Sequence, residues 1–396
     1  MTKQVATGVV AIANAVKLAD VDVITAYPIR PYTGVMNELA RMIAEGEFDA
    51  EYIISDCEHS QFEMAKHASM AGARVFTGSA GIGFAYAYEP IVVTASDRAP
   101  VVAMLGDRTL DDPGCFGVEH TDALADRDLG WIEFFAEDAQ EALDTTLMAY
   151  RIAEDERVLL PTLVCCDGHF ITHVYRTIEI PDSGQVKSFL PPYNRKYRLD
   201  PDNPISIAPQ VGSSGEHAYE FRKQMVEAMV AARRVISEAC ESFSKIFGRK
   251  YPPFVEEYMV RDADVVLITL GNMSMNAREA VRQLRAKGEK VGLIRIRTYR
   301  PFPDVELREA LMDAKAIGVV DCNFSYGSPL GGGIVFNDVR SALYGLPRAP
   351  PMVDFFAGLG GREVAVEDLL GMLRVLRNTA RTGKAEKNVY WIGLRE

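Results

Sequence analysis

Two arginines follow short apolar runs of the sequence, at points where loops are expected. Arg30 stands between two prolines after the run at 21–29, and Arg108 follows the run VVAMLG at 101–106. A guanidinium can hold a carboxylate through two parallel hydrogen bonds, and it is costly to bury without an anion. Each arginine therefore indicates either a site for an anionic ligand or an ion pair within the loops. The possible loop partners are Asp107, Asp111 and Asp112.

The histidines and cysteines lack the spacing of a metal site. The histidine candidates are His59 next to Glu58, His120 near Asp122, and the pair His169 and His173. No further ligand is spaced to complete a set around any of them, so structural roles are favoured and no metal ligand is predicted in this chain. The six cysteines form no C-x-x-C pair, which indicates reduced thiols rather than a zinc site or an iron–sulfur cluster.

A glycine-rich turn, TGSAGIGFA, lies between a predicted strand and a predicted helix. Its glycines Gly78, Gly81 and Gly83 do not keep the G-x-G-x-x-G spacing of a dinucleotide site, so a nicotinamide site is not expected. Glycines at such a turn let the backbone come close to a helix or to a ligand, and both interpretations stay open.

Strand-like and helix-like patterns alternate through residues 1–180, which is typical of a mostly parallel sheet covered by helices on both faces. Open sheets of this kind bind ligands at the carboxyl ends of their strands. Here those ends carry YPIRP, SDCEHS, GSAGIG and GDRTLDDPG. Strands are predicted near 21–29, 51–55, 74–80, 101–106 and 159–166, and helices near 6–18, 62–71, 85–94 and 139–154.

The pattern divides the chain into an α/β domain at 1–185, a connecting segment at 186–255, and a smaller α/β domain at 256–396. Within the connection, residues 189–217 are rich in proline, glycine and polar residues, which indicates a linker or a loop against a partner. A long helix is predicted over 219–247, and packing on its own domain is favoured over a dedicated subunit contact. The predicted fold class is therefore α/β, with two parallel sheets.

Composition and charge exclude several classes of function. The chain has 396 residues, of which 48% are hydrophobic and 25% charged, so disordered and collagen-like classes are excluded. Its formal net charge of -12 and the lack of a basic patch argue against nucleic acids and anionic membranes as partners. With no long apolar run and no cleavable leader pattern, we expect a cytoplasmic protein.

An ordered series of motifs resembles one enzyme family along almost the whole chain. The motifs are AYPIRP, CEHS, AGARVFTGSAGIGFAYAYEPI, RDLGWIEFFAEDAQEALDTT, LLPTLVCCDGHFITH and RPFPDVELREAL. They resemble the alpha subunit of the 2-oxoacid:ferredoxin oxidoreductases, which use thiamine pyrophosphate. The resemblance implies a thiamine pyrimidine-binding-type domain at 1–185 and a transketolase C-terminal-like domain at 256–396.

The resemblance also assigns site residues. The glutamate that contacts the aminopyrimidine of the cofactor falls on Glu58, and Pro28 and Ile29 are assigned to cofactor binding beside it. A carboxyl group at position 58 would hydrogen-bond the ring nitrogen, and a dry interface would raise its pKa. The arginine that contacts the substrate carboxylate falls on Arg108.

One position departs from the pattern of the pyruvate enzymes, which read Tyr-Pro-Ile-Thr-Pro where this chain has Arg30. A second fixed cation would attract a second carboxylate, by on the order of 4 kcal/mol at ~4 Å before desolvation is subtracted. The methyl group of pyruvate could not use that attraction. The smallest dianion that could is oxalate, and the resemblance is closest to the oxalate oxidoreductases of the family.

The loop that follows Arg108 is also assigned to substrate binding. Asp111 and Asp112 would repel a carboxylated reaction intermediate, or pair with Arg30 in an empty site. Bulky Phe116 and Tyr32 argue for a short substrate.

The sequence thus predicts the catalytic alpha subunit of an enzyme that oxidises oxalate to two CO2 and passes electrons to ferredoxin. Alternatives are a pyruvate or 2-oxoglutarate:ferredoxin oxidoreductase subunit and a non-catalytic structural subunit. The resemblance implies a beta subunit that shares the thiamine pyrophosphate, further gamma and ferredoxin-like delta subunits, and a dimer of heteromers. Mg2+ and the [4Fe-4S] clusters are assigned to those partners.

Overall fold

The computed structural model describes residues 2–110, 114–205 and 217–395. Strands and helices alternate through the first half, as the hydrophobic pattern predicts. The strands are β1 (Thr2–Ala6), β2 (Val23–Ala26), β3 (Glu51–Ile54), β4 (Val75–Ser79), β5 (Val102–Asp107), β6 (Ile132–Phe135), β7 (Thr162–Asp167) and β8 (Arg176–Ile180). The helices are α1 (Gly8–Leu18), α2 (Thr33–Ala44), α3 (Glu58–Met70), α4 (Gly81–Tyr86), α5 (Tyr88–Ser96), α6 (Thr121–Ala125), α7 (Ala139–Ala153) and α8 (Ser183–Phe189).

The second half begins with a long helix and continues with another alternating block. Its strands are β9 (Val255–Tyr258), β10 (Val265–Thr269), β11 (Val291–Ile296), β12 (Thr298–Arg300), β13 (Ala316–Asp321), β14 (Met352–Phe356) and β15 (Val389–Trp391). Its helices are α9 (Ala218–Phe247), α10 (Met273–Arg285), α11 (Asp304–Leu311), α12 (Ile334–Leu343) and α13 (Val366–Thr382).

Two large sheets organise the described residues. The first has the strand order β12-β6-β7-β5-β4-β2-β3, and its neighbours are parallel except where β12 meets β6. The second has the order β15-β14-β13-β10-β11-β9, and only the edge strand β9 pairs antiparallel among the strands described there. Every residue of β4, β5, β6 and β7 is buried, because helices cover both faces of the sheet. The predicted α/β fold class is confirmed.

A buried ion cluster joins the two sheets. Glu141 of α7 accepts hydrogen bonds from Arg295 of β11 at 2.7 Å and from Arg297 at 2.7 Å, and all three residues are at most 2% exposed. Burial alone would raise the pKa of Glu141, but the two guanidiniums outweigh burial and lower it. Since β12 follows directly and pairs with β6, the second half of the chain also supplies an edge to the first sheet.

Several predicted elements differ in extent from the observed ones. The strand predicted at 21–29 ends at Ala26, and the helix predicted at 62–71 begins earlier, at Glu58. The helix predicted at 85–94 is divided into α4 and α5. These changes place the CEHS motif on the first turn of a helix rather than in a loop.

The predicted connecting segment, 186–255, begins within α8 (Ser183–Phe189) and then continues without regular structure. Residues 190–205 form no helix or strand, and 206–216 lie outside the described residues. Helix α9 buries Ala232, Ile236 and Phe243 and packs on α7, so packing within its own chain is confirmed. All six cysteines are free thiols. None of the helices in the described ranges combines the length and the apolar character needed to cross a bilayer.

Candidate active site

Three loops meet at one end of the first sheet, because β2, β4 and β5 are neighbours that end at the same edge. The loop after β2 carries residues 27–32, the turn after β4 carries Gly81 and Gly83, and Arg108 follows β5. Helix α3, which follows β3, begins at Glu58 beside them. The sheet therefore brings together the side chains that the sequence places at 28–30, 58 and 108.

Glu58 is the first residue of α3 and is only 8% exposed. A Cβ atom on Gly83 would stand 2.3 Å from its Oε1 atom and 2.6 Å from the Cδ1 atom of Ile29. The carboxyl group thus lies against bare backbone on one side, and the apolar Ile29 side chain lies beside it. Burial raises the pKa of Glu58, although its own backbone N–H favours the charged form.

The glycine turn explains how that carboxyl group is accommodated. Gly81 adopts φ +49°, which favours glycine, and Gly83 leaves the space that the Glu58 carboxyl fills. The structure shows that the backbone of TGSAGIGFA comes close to a helix, because Glu58 is the first residue of α3. The group that the backbone approaches is the side chain of Glu58.

Arg108 is 7% exposed and lies across the loop that carries Arg30. Its Nη1 atom donates to the backbone carbonyl of Arg30 at 3.0 Å, and its Nε atom donates to the carbonyl of Cys115 at 3.3 Å. The ring of Phe116 lies 4.6 Å from the guanidinium carbon. No carboxylate in the described ranges forms an ion pair with this guanidinium, and burial lowers the pKa of Arg108 although the charge of Asp122 opposes that shift. A buried guanidinium without an ion-pair partner can bind an anion from outside the chain.

The Arg30 side chain is exposed at the same edge, while its carbonyl accepts the hydrogen bond from Arg108. Within the described residues its guanidinium forms no ion pair. Both carboxylate oxygens of Asp107 lack hydrogen-bond partners there, so Asp107 does not neutralise either arginine. The predicted substrate residues Asp111 and Asp112 lie outside the described residues.

The remaining predicted site residues divide into two groups. Pro28 is exposed and Phe116 is 64% exposed, so both are available at the rim of the crevice. Tyr32, by contrast, is fully buried: its ring packs against Gly78, and its hydroxyl donates to the carbonyl of Thr25 at 3.3 Å. The prediction that Tyr32 limits the length of the substrate is therefore wrong, because the first residues after the loop turn back into the core.

Asp122 links two of the loops, a role that the sequence reasoning missed. Its Oδ2 atom accepts hydrogen bonds from the backbone N–H groups of Gly81 and Arg108, both at 2.9 Å, and its Oδ1 atom accepts one from Ala123 at 2.9 Å. Burial raises the pKa of Asp122 to about 7, against the effect of these donors. The signal in the sequence is only an acid near His120 in EHTD, which does not indicate what it will contact.

We expect Asp122→Ala to lower kcat/KM about tenfold, the cost of roughly one net hydrogen bond, because Arg108 and Gly81 lose their common acceptor. Asp122→Asn keeps one carbonyl oxygen and should recover part of the loss. Steady-state kinetics of the purified complex would measure both. Asp126→Asn is the matched control, since Asp126 is a buried acid of the same segment that bonds neither loop through its side chain. Unchanged kcat/KM in Asp122→Ala would contradict the linking role.

Two solved structures share the α/β fold of this chain. A 2-oxoglutarate:ferredoxin oxidoreductase from Magnetococcus marinus matches 94% of this chain and 65% of its own chain, with a TM-score of 0.71 and 19% identity. An inactive split-gene transketolase tetramer matches with a TM-score of 0.52 and 13% identity, over 93% of this chain and 98% of its own. At these identities the structures establish the shared fold.

The sequence comparisons establish the family. Residues 14–241 match the thiamine diphosphate-binding domain of pyruvate flavodoxin/ferredoxin oxidoreductases, and residues 263–369 match core domain II of pyruvate:ferredoxin oxidoreductase. The pyruvate synthase subunit PorA of Methanothermobacter thermautotrophicus is 38% identical over 98% of this chain and 97% of its own length. The ketoisovalerate oxidoreductase subunit VorA of Pyrococcus horikoshii is 36% identical over 99% of this chain and 98% of its own length. This chain belongs to the alpha subunits of the 2-oxoacid:ferredoxin oxidoreductases.

The site fits the aminopyrimidine end of thiamine diphosphate. The buried carboxyl group of Glu58, whose pKa is raised, lies against the backbone of Gly83, where any side chain would clash with it. The apolar side chain of Ile29 lies beside the carboxyl group. These are the donor and the apolar contact that a neutral heteroaromatic ring requires.

Proposed function

We propose that this chain is the catalytic alpha subunit of an oxalate oxidoreductase. The reaction is C2O4(2-) → 2 CO2 + 2 electrons, and the electrons pass to ferredoxin. The observation that carries the proposal is that Arg30 and Arg108 lie on neighbouring loops, where Arg108 donates to the backbone carbonyl of Arg30, and that neither guanidinium forms an ion pair with a carboxylate of the described residues. Two cations at one crevice, the held Arg108 and the less constrained side chain of Arg30, match a substrate with two carboxylates.

Thiamine diphosphate supplies the electron sink for cleavage of the bond between the two carboxyl carbons. In this chain Glu58 would hold a proton at a ring nitrogen of the cofactor, and burial, which raises the pKa of its carboxyl group, makes that protonated state more accessible than in an exposed glutamate. Ile29 and Pro28 line the ring. The diphosphate, its Mg2+ ion and the [4Fe-4S] clusters are held by partner subunits: a beta subunit, and gamma and ferredoxin-like delta subunits, assembled as a dimer of heteromers.

The two arginines have different tasks. Arg108 is held in place by the carbonyls of Arg30 and Cys115 and by the ring of Phe116, so it presents a fixed fork to the first carboxylate. Arg30 is less constrained and binds the second carboxylate, which departs as CO2. Each charged hydrogen bond contributes roughly 1.5–3 kcal/mol. Coenzyme A has no part in this reaction, because no acyl group remains to be transferred.

A second candidate is a pyruvate- or ketoisovalerate-oxidising enzyme, which the names of the relatives favour. A 2-oxoglutarate enzyme would also use a second arginine. The competing cases differ at the group that faces Arg30, which is a carboxylate in oxalate and 2-oxoglutarate and an alkyl group in pyruvate and ketoisovalerate. A non-catalytic subunit is disfavoured, since Glu58 and Arg108 would then be buried at a cost with no ligand to offset it.

We expect the purified heteromeric complex to reduce ferredoxin or methyl viologen with oxalate under anoxic conditions, without coenzyme A. Two CO2 should form for each pair of electrons. Pyruvate, ketoisovalerate and 2-oxoglutarate, each assayed with and without coenzyme A, are the comparison substrates. Turnover of pyruvate or ketoisovalerate with inert oxalate would overturn the oxalate assignment and leave the family assignment intact.

A further inference from the structure

A second group of chemically active side chains lies beneath the candidate active site. Asp107 ends β5 and Asp167 ends β7, and the two strands are parallel neighbours that pair these residues in register. His120 precedes α6 and points its ring at Asp167. One ligand atom from each of the three lies within 4.8 Å of the other two, and their exposures are 0%, 4% and 2% for Asp107, Asp167 and His120.

His120 pairs with Asp167, but the carboxylate of Asp107 has no partner among the described residues that would balance its charge. The Nε2 atom of His120 lies 3.1 Å from the Oδ1 atom of Asp167, whose Oδ2 atom accepts a hydrogen bond from the backbone of Asn272 at 3.1 Å. Both oxygens of Asp107 lack a partner among the described residues. The buried carboxyl groups of Asp122 and Glu133 also interact electrostatically with Asp107. A buried carboxylate with no partner costs several kcal/mol, so a cation or a proton must neutralise it.

A cavity adjoins the group and offers room for a ligand. It has a volume of about 230 Å³, and its lining includes Asp167, Asn272, Cys322 and Arg362. The carbonyl of Cys322 accepts a hydrogen bond from the backbone of His120 at 2.8 Å, which fixes that wall. Asp167 is the ligand of the three that lines this cavity, so water molecules in the cavity can reach the group from its side.

We propose that Asp107, His120 and Asp167 bind one divalent first-row transition cation, such as Zn2+ or Mn2+. One imidazole and two carboxylates form the nitrogen and oxygen donor set that these ions accept. The unpartnered Asp107 is the group that the ion satisfies. The ion ties the ends of β5 and β7 to the start of α6, directly behind Arg108, and its role is structural. The site is separate from the Mg2+ site assigned to the partner subunit, and it does not depend on which substrate the complex oxidises.

The test is a metal analysis of the purified complex by plasma mass spectrometry. The quantity compared is the transition metal other than cluster iron, in equivalents per alpha chain. We expect the wild-type complex to contain one equivalent more than the Asp107→Asn complex. Glu133→Gln is the matched control: Glu133 is 1% exposed on the neighbouring β6, also has an unpartnered carboxylate oxygen, and is outside the three ligands. The control should keep the wild-type metal content.

A second measurement covers the case in which Asp107→Asn fails to assemble. Wild-type complex is treated with dipicolinate in buffer that contains excess Mg2+ and thiamine diphosphate, and its thermal unfolding is followed as Zn2+ or Mn2+ is added back. Binding to the folded state should raise Tm by several degrees. Equal metal content in wild type and Asp107→Asn would overturn the proposal. So would the lack of any shift with either ion, which would show that a proton neutralises Asp107.

Discussion

A Glu58→Gln complex is expected to lose kcat by a factor of roughly 10² to 10⁴, the usual contribution of a positioned proton donor or acceptor. Glutamine fills the same space against Gly83, but it cannot carry the exchangeable proton that a carboxyl group with a raised pKa holds at the ring nitrogen. Pre-steady-state reduction of methyl viologen would report the chemical step, and a thiamine diphosphate titration would report cofactor binding.

Glu63→Gln provides the control, because Glu63 lies on the same helix and pairs with Lys66 and His67, away from Gly83. The control should turn over at close to the wild-type rate. If Glu58→Gln kept kcat within about threefold of wild type at full occupancy by the cofactor, the role assigned to this carboxyl group would be wrong.

Replacing Arg30 by threonine is expected to lower kcat/KM for oxalate about a hundredfold, since a charged hydrogen bond worth roughly 1.5–3 kcal/mol and its Coulomb attraction are lost. Activity with pyruvate should rise or stay constant, because the alkyl group of pyruvate no longer faces a cation. Arg30→Lys keeps the charge without the planar fork and should lie between the two. The ratio of kcat/KM for oxalate to that for pyruvate is the decisive quantity.

Arg41→Thr is the matched control, since it removes an arginine from the surface of α2, where Arg41 pairs with Glu38. It should leave the oxalate to pyruvate ratio unchanged. An unchanged ratio in Arg30→Thr would mean that this guanidinium does not face the substrate. The site would then offer only Arg108 as a cation for a substrate with two carboxylates. The roles assigned to Arg108 and Glu58 would be unaffected.

The sequence predicted the parts of the fold that depend on local pattern. Alternation of buried strands and amphipathic helices indicated the α/β class, and the helix over 219–247 agrees with α9 (Ala218–Phe247) because its apolar residues recur at helical spacing. Helix boundaries were predicted less accurately. Glu58 was placed in a loop, although it is the first residue of α3. The boundary was missed because Cys57 and Glu58 give no strong capping signal. Short strands such as β6 and β12 were not predicted.

Tertiary structure alone decided which charged groups became neighbours. Glu141 meets Arg297 across 156 positions of the chain, and Asp107 meets Asp167 only because β5 and β7 lie side by side in register. No periodicity encodes such pairings, because each depends on the order of strands in the sheet.

The sequence by itself determined that two arginines and a glutamate follow strands whose carboxyl ends share one edge, since a parallel sheet aligns those ends. It could not determine the surroundings of these side chains. The burial of Glu58 against Gly83, the lack of a described carboxylate partner for Arg108 and the burial of Tyr32 all follow from packing between segments distant in sequence. Packing sets the local dielectric, and the local dielectric sets which proton or anion each side chain can hold.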